Sequence, residues 1–492
     1  MSDDDTKKTL PDDAQPVAES TDTTSATSVE EDPGIDVSTL LTNYEDKPLV
    51  SPTPEAEVKE QQAAAVSESS QQQQNTEEGR RPAQGGGHHR RQFGQRKPYG
   101  NSQGGADVPL EERLKDDLKI SYEAKGVLDI TVGGYGFLRQ DYAINPARDI
   151  YVSTSQIRRF WLRRGDEIEG LARPPKEGER FHSLLLIKRI NGAEMTETQS
   201  QERKDFDTLT SLHPNRMIKL ETDKDTLSTR IVDLVSPIGF GQRALIVSQP
   251  KAGKTRFLKD IAEAIAINYP DAKLMAILIG ERPEEVTEIK RFIKGEVAAS
   301  NFDESPRQQV KVANLGLEHA KRMVEMGHDV VILLDSVTRL ARAFNMSVTS
   351  SGRSLSGGFD SQALFPAKKF LGAARNCEEG GSLTIIGTAL IGTESRMDDL
   401  IYEEFKGTGN MEVHLDRKIA NKRIFPAIDT EKSATRHEDL LLDKENYNKI
   451  ATLHRMLGLL NSEERITSLI DKLPKTASNK EFLDSLSSGV VK

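Results

Sequence analysis

The chain has 492 residues, 36% of them hydrophobic and only 5% aromatic, with one cysteine and a formal charge of −10. That length allows two or three domains with real cores, but a mean hydropathy of −0.55 is low for one globule, so part of the chain is expected not to fold. No apolar run reaches 18 residues, the start "MSDDDTKK" lacks the apolar segment of a secretory signal, and the lone Cys377 excludes an internal disulfide, so the expected location is the cytoplasm.

The charge is unevenly spread. Residues 1–78 hold 19 Asp/Glu against 4 Lys, and the remainder carries a small positive excess. Residues 1–105 read as a disordered extension: acidic and Gln-rich first, then "GRRPAQGGGHHRRQFGQRKPYGNSQGG", where Phe93 and Tyr99 sit among basic residues. That Gly/Arg segment is either an RNA-binding tail or a solvated linker. His88 and His89 have no partners at metal-ligand spacing and read as part of it.

Residues 106–195 predict a short charged helix, "VPLEERLKDDLKI", and then strand-like pieces broken by Gly, Pro, Asn and Asp. Together they suggest a small β-barrel of the OB type. In "GGYGFLR", Tyr135 and Phe137 alternate on one strand face beside Arg139, and "RDIYVS" adds Tyr151. The glycines at 134 and 136 favour an exposed face over barrel core, and exposed aromatics stack on unpaired bases at roughly 1–3 kcal/mol each. Residues 196–218 read as a polar connector.

From 219 to 492 apolar runs ("ALIVS", "KLMAILIG", "DVVILLD", "SLTIIGTALIG") alternate with helical spacing, which predicts a parallel sheet covered on both faces. The last segment, from about 437, reads as helical. In "KTRFLKDIAEAIAIN" the residues Phe257, Leu258, Ile261 and Ile265 share a face. Just before it, "SQPKAGKT" is a phosphate loop whose first glycine is replaced by Ser248, a change that Ser tolerates if the backbone there has negative φ. Backbone N–H groups and the helix N-terminus would hold phosphate there. Lys254 would reach the β- and γ-phosphates, and Thr255 would ligate Mg2+. Asp335 ends an apolar strand as a metal-supporting acid, and Glu281 ends another, placed to orient or deprotonate water. Each acid also has a blander reading, Asp335 as a helix N-cap and Glu281 as a helix-start acid beside Glu284 and Glu285. Together they predict an α/β ATPase of the RecA-like type.

The ordered set "GYGFLR", "DIYVSTSQIRRFWLRRGD", "RPPKEGERF", "PKAGKT", "GERPEEVTE", "LLDSVTRLARAFN", "GFDSQAL", "EEFKGTGNMEVHLDRKIANKRIFPAID" and "SATR" closely resembles the Rho family of bacterial transcription termination factors, over roughly residues 120–490. The resemblance implies a homohexameric ring that binds nascent single-stranded RNA, pyrimidine-rich by preference. It would translocate 5′ to 3′ by hydrolysing ATP with Mg2+ and release RNA from RNA polymerase. The primary RNA site would use Tyr135, Phe137, Arg139, Asp149, Tyr151 and Phe181 of a cold-shock-like barrel. Nucleotide would be held by Lys251, Ala252, Gly253, Lys254, Thr255 and Arg256, with Phe425 stacking on adenine. Glu281 would activate water, Asp335 would support the metal, and Arg436 would be an arginine finger for a neighbour; Arg282 and Arg339 fall in intersubunit and catalytic motifs. Two channel loops would include Gly352, Arg353 and Ser354, and Thr393 and Arg396.

The sequence departs from the family in several places. Arg353 and Arg396 stand where Lys is common, Gly280 stands where an acid is common before Glu281, and the long extension replaces an N-terminal helical domain. Two other readings stay open: a rotary or secretion ATPase, which would lack an aromatic RNA-binding barrel, and an RNA-binding scaffold with a vestigial ATPase.

Overall fold

The computed structural model describes residues 110–194, 202–349, 352 and 354–487, with side chains from residue 115. The extension 1–105 and Arg353 lie outside the described residues.

A helix over Leu110–Lys119 leads into β1 (Tyr122–Ile130), β2 (Gly136–Arg139), β3 (Ile150–Val152), β4 (Glu167–Arg173) and β5 (His182–Ile190). These strands close into a barrel in the order β1-β2-β3-β5-β4. Its interior is filled by side chains that include Leu128, Leu138, Ile150, Val152, Ile168, Leu184 and Ile190. Because side chains alternate along a strand, placing Leu138 inside turns its neighbours Phe137 and Arg139 to the outer face.

The segment read as a polar connector is largely part of the ATPase body. Phe206 is fully buried under the Arg375 guanidinium, and Leu209 is buried beside it. β6 (Ser211–Leu212) then pairs with β13 (Arg375–Cys377), and β7 (Met217–Ile218) pairs with β8 (Ile238–Gly239). Apolar residues spaced too sparsely to show a period are what hid this docking in the sequence.

The main sheet uses β9 (Arg243–Ser248), β10 (Lys273–Glu281), β11 (Glu296–Asn301), β12 (Asp329–Asp335), β14 (Ser382–Leu390), β15 (Met411–Leu415) and β16 (Ile428–Thr435). Their order is β11-β10-β12-β14-β9-β15-β16, parallel except for the antiparallel edge β16. Alternate residues feed two cores: Leu245 and Val247 enter one, Ala244 and Ile246 the other. Burial on both faces is why these strands read as continuous apolar runs. Phe257, Leu258, Ile261 and Ile265 are buried, as their spacing predicts. Helices Lys444–Leu457, Ser462–Lys472 and Asn479–Ser487 close the chain, tied down by the fully buried Arg230, which donates to Asn479 Oδ1 and the Leu473 carbonyl.

Barrel and ATPase body touch at Gly165. Its φ is +90°, and a Cβ there would lie 2.6 Å from the Glu318 carbonyl oxygen. Nearby, Arg163 lies 3.4 Å from Glu325, and Arg203 donates to both oxygens of the buried Asp166. A side chain at 165 therefore meets backbone and adopts an unfavourable φ at once. Gly165→Ala should destabilise this junction by about 1–3 kcal/mol or more. Proteolysis of the barrel relative to the ATPase body, with the melting midpoint, checks this; wild-type behaviour in both would show that the contact does not restrain the barrel.

Candidate nucleotide and RNA sites

β9 ends at Ser248, in extended backbone and fully buried. A negative φ is what allows Ser in place of Gly here, and Ser248 is not among the positive-φ residues. The loop then turns through Lys251 (φ 67°) and Gly253 (φ 96°), and Gly253 is the N-cap of helix Lys254–Asn268. Its side chains supply no cap hydrogen bond, so the first N–H groups of the helix face the loop without an internal acceptor. Thr255 is half-buried in the first turn and Ala252 is buried. Arg256 points elsewhere: its Nε donates to Asp260 at 2.7 Å, and the side chain is 81% exposed.

The acids converge on Lys254 because β10 and β12 are adjacent and parallel. Lys254 Nζ lies 2.6 Å from Asp335 Oδ1 and 3.5 Å from Glu281 Oε1. Arg339 Nη1 lies 3.3 Å from Glu281 Oε2 and also donates to the Gly280 carbonyl. Asp335 is not a helix cap: Ser336 caps helix Val337–Ser347, its Oγ accepting from Arg339 N. Nor is Glu281 a helix-start acid, since Arg282 occupies the cap and Glu284 and Glu285 the first turn. Gly280 has φ +67°, and a Cβ would crowd Arg339 Cδ at 3.3 Å, which gives a backbone reason for glycine at that position. Burial, then the neighbouring Asp335 charge, raises the Glu281 carboxyl to about 7 despite Lys254 and Arg339. Its Oε1 is buried without a hydrogen-bond partner. Together with the Thr255 hydroxyl and Asp335, this oxygen-rich set fits a hard divalent cation carried by phosphates.

Phe425 is 49% exposed, and its ring lies 3.7 Å from where a Gly253 Cβ would be, so it overhangs the loop. Arg282 is exposed beside Glu285 at 3.3 Å. Arg436 is exposed and follows β16 at the far edge: its N–H bonds Asn410 O, beside Arg243 at the start of β9. The length of β9 separates it from Ser248, about 17 Å of strand.

The two predicted channel loops meet one another. A Cβ on Gly357 would lie 2.5 Å from Met397 N, next to the exposed Arg396, and Gly352 and Ser354 are exposed. The second loop also touches the phosphate loop: Gly392 packs against Gln249, whose Nε2 would lie 2.8 Å from a Cβ. Arg342 grips the buried Asp398 through both oxygens at 2.5–2.9 Å, and Thr393 Oγ1 donates to the same carboxylate at 2.6 Å. Thr388 Oγ1 donates to Asp335 at 2.7 Å. Thr388, Arg342, Asp398 and Gln249 are not among the residues expected from the sequence. A threonine inside the apolar run "TIIGTALIG" was the available signal for the first; nothing local marks the Arg342–Asp398 pair.

On the barrel, Tyr135, Phe137, Tyr151 and Phe181 form one aromatic cluster. Ring centroids are 5.8 Å apart for Tyr135–Phe137 and for Tyr135–Tyr151, 6.1 Å for Phe137–Tyr151 and 4.8 Å for Phe137–Phe181. The expectation that Phe137 is exposed needs correction, and Arg139, expected beside it to reach phosphate or a base edge, is buried too. They lie on the outer face but are only 8% and 5% exposed, because the neighbouring rings and acids cover them. Arg139 lies 4.8 Å over the Phe137 ring, donates to the buried Asp149, and is 3.5 Å from Asp129. Tyr135, Tyr151 and Phe181 are half-buried, with ring surface left for stacking, and Arg180, a cation not expected from the sequence, lies 5.4 Å over Phe181.

Residues 124–196 match the family described as Rho termination factor, RNA-binding domain, and residues 228–435 match the ATP synthase alpha/beta family, nucleotide-binding domain. The transcription termination factor Rho of Bacillus subtilis (strain 168) is 53% identical over 363 residues, covering 74% of this chain and 84% of that protein. That of Salmonella typhimurium (strain LT2) is 53% identical over 367 residues, covering 73% and 87%. A solved structure described as a prototypical ATPase from the type III secretion system matches at 24% identity and a TM-score of 0.49, covering 58% of this chain and 88% of that one. With an RNA-binding barrel joined to a P-loop ATPase body and these relatives spanning most of their length, the chain belongs to the transcription termination factor Rho family.

Proposed function

We propose that this chain is an RNA-dependent ATPase and helicase that terminates transcription. It assembles as a homohexameric ring in the cytoplasm, binds nascent, pyrimidine-rich single-stranded RNA, translocates 5′ to 3′, and releases the RNA from RNA polymerase. The observation that carries this reading is the joining, in one body, of an outward aromatic face on the barrel to a phosphate loop whose lysine meets two strand-end acids. Among the described residues no helix is long and apolar enough to cross a membrane.

In the reaction, the loop amides and Lys254 bind the ATP phosphates, Lys251 adds charge, and Phe425 stacks on the adenine. Thr255 and Asp335 would hold Mg2+, which supplies neutralising charge to the phosphates. Glu281 takes the proton from water as its oxygen attacks the γ-phosphorus and ADP leaves, so that ADP, phosphate and a proton are the products. Arg339 holds Glu281 in place, and Arg282 and Arg436 act across the ring on neighbouring subunits. Tyr135, Tyr151 and Phe181 stack on bases, while Arg139 and Asp149 stiffen the platform and present its polar edge. The loops at Gly352–Ser354 and Thr393–Arg396 follow the RNA backbone. Arg353, in the first loop but outside the described residues, carries its cation. The Gln249–Gly392 and Arg342–Asp398 contacts give these loops a direct mechanical link to the phosphate loop.

ATP hydrolysis should rise strongly on adding poly(C). Glu281→Gln should lower it by about 10²–10⁴-fold, and Tyr151→Ala should weaken RNA binding by about 1–3 kcal/mol while leaving ATP binding intact. Equal hydrolysis with and without RNA would rule out an RNA-driven motor. Because Glu281 must be ionised to accept a proton and its carboxyl is raised to about 7, kcat/KM should climb with pH below about 7 and level off above it. A profile flat down to pH 5 would contradict a base at this position.

A further inference from the structure

Where the barrel meets the ATPase body, one buried histidine has no part in the reaction above. His319 lies on helix Pro306–Glu325 and is 1% exposed. Its Nδ1 is 2.8 Å from the Gly165 carbonyl oxygen. A carbonyl only accepts, so Nδ1 carries the proton, and the neutral ring presents its lone pair at Nε2. That nitrogen is buried without a hydrogen-bond partner and faces Glu296 Oε1 at 3.5 Å, too far for a good hydrogen bond. Glu167, from barrel strand β4, completes a trio whose ligand atoms all lie within 4.8 Å of one another. The trio lines a cavity of about 490 Å³ shared by the two domains, which gives an ion a path from solvent.

The hydrogen bonds around the trio leave one oxygen of each acid available. Tyr142 donates to Glu296 Oε2, leaving Oε1 towards the histidine. Lys125 lies between Glu167 at 2.8 Å and Glu169 at 3.0 Å, so it keeps a carboxylate partner if Glu167 turns to a cation. An imidazole whose other N–H is fixed by a backbone carbonyl is the usual orientation of a metal-binding histidine. One imidazole and two carboxylates suit Zn2+ and its first-row neighbours better than Mg2+.

We propose that His319, Glu296 and Glu167 form a binding site for a divalent transition-metal ion of the Zn2+ type, separate from the nucleotide site, that clamps the barrel to the ATPase body. The test uses full-length protein stripped of metal and titrated calorimetrically with Zn2+ in saturating Mg2+, without nucleotide. Wild type should bind one more Zn2+ per chain than His319→Gln, and Glu167→Gln, at a half-buried position that tolerates the change, should weaken that site at least about tenfold. Zn2+ should also raise the melting midpoint of wild type and not of His319→Gln. Identical stoichiometry and affinity in all three proteins would place the zinc elsewhere, such as at His88 and His89, and would overturn the proposal. So would an absence of binding, which would leave His319 and Glu296 as a plain ion pair.

Discussion

The structure is organised around one crowded set of charges. Lys254, held at the N-terminus of its helix, lies against Asp335 and Glu281, which are 2% exposed each and sit at the ends of adjacent strands. Two carboxylates so close and so poorly solvated repel each other, and the cations Lys254 and Arg339 make the arrangement tolerable. Everything nearby serves to hold that geometry. The parallel pairing of β10 with β12 sets the acids side by side, Thr388 fixes one oxygen of Asp335, and the positive φ of Gly280 lets Arg339 lie across β10. Phosphates arriving at the loop would give Lys254 a new partner and free the acids for metal and water.

Much of this was legible in the sequence, for identifiable reasons. Strands buried on both faces write themselves as apolar runs, and the acids that end them are visible because they interrupt those runs. Ser248 needed only a backbone criterion, and its extended conformation meets it. What the sequence could not show was lateral packing. Phe137 alternates correctly onto the outer face, yet Tyr151 across the strand pair and Phe181 from beyond it cover the ring. Alternation tells which face a side chain takes and says nothing about what else lies on that face. The same limit hid the burial of Phe206 and the grip of Arg342 on Asp398, each a contact between residues far apart in the chain.

The coupling proposed between chemistry and RNA has a short physical path available to it. Helix Val337–Ser347 begins at the residue after Ser336, and so directly behind Asp335, and carries Arg342, whose bidentate pair with Asp398 reaches the second of the two loops proposed to line a channel. Gly392 of that loop touches Gln249 of the phosphate loop. A shift of either strand end can thereby reach the loops proposed to follow RNA, through packed contacts and the grip of Arg342 on the buried Asp398 rather than through a flexible linker.

One charge assigned to the proposed reaction is out of reach within a single chain. Arg339 is committed to Glu281 and the Gly280 carbonyl, and Arg436 stands at the opposite end of β9 from the phosphate loop. The central claim of the proposed function is therefore that the hydrolytic site is completed between two copies of the chain. Differently tagged Lys254→Ala and Arg436→Ala chains, each expected to be inactive alone, should be co-expressed, purified through both tags and assayed for RNA-stimulated hydrolysis. Activity should return in the mixed assemblies, where an intact phosphate loop from one chain meets an intact Arg436 from its neighbour. Mixed assemblies that remain as inactive as either parent would contradict the claim.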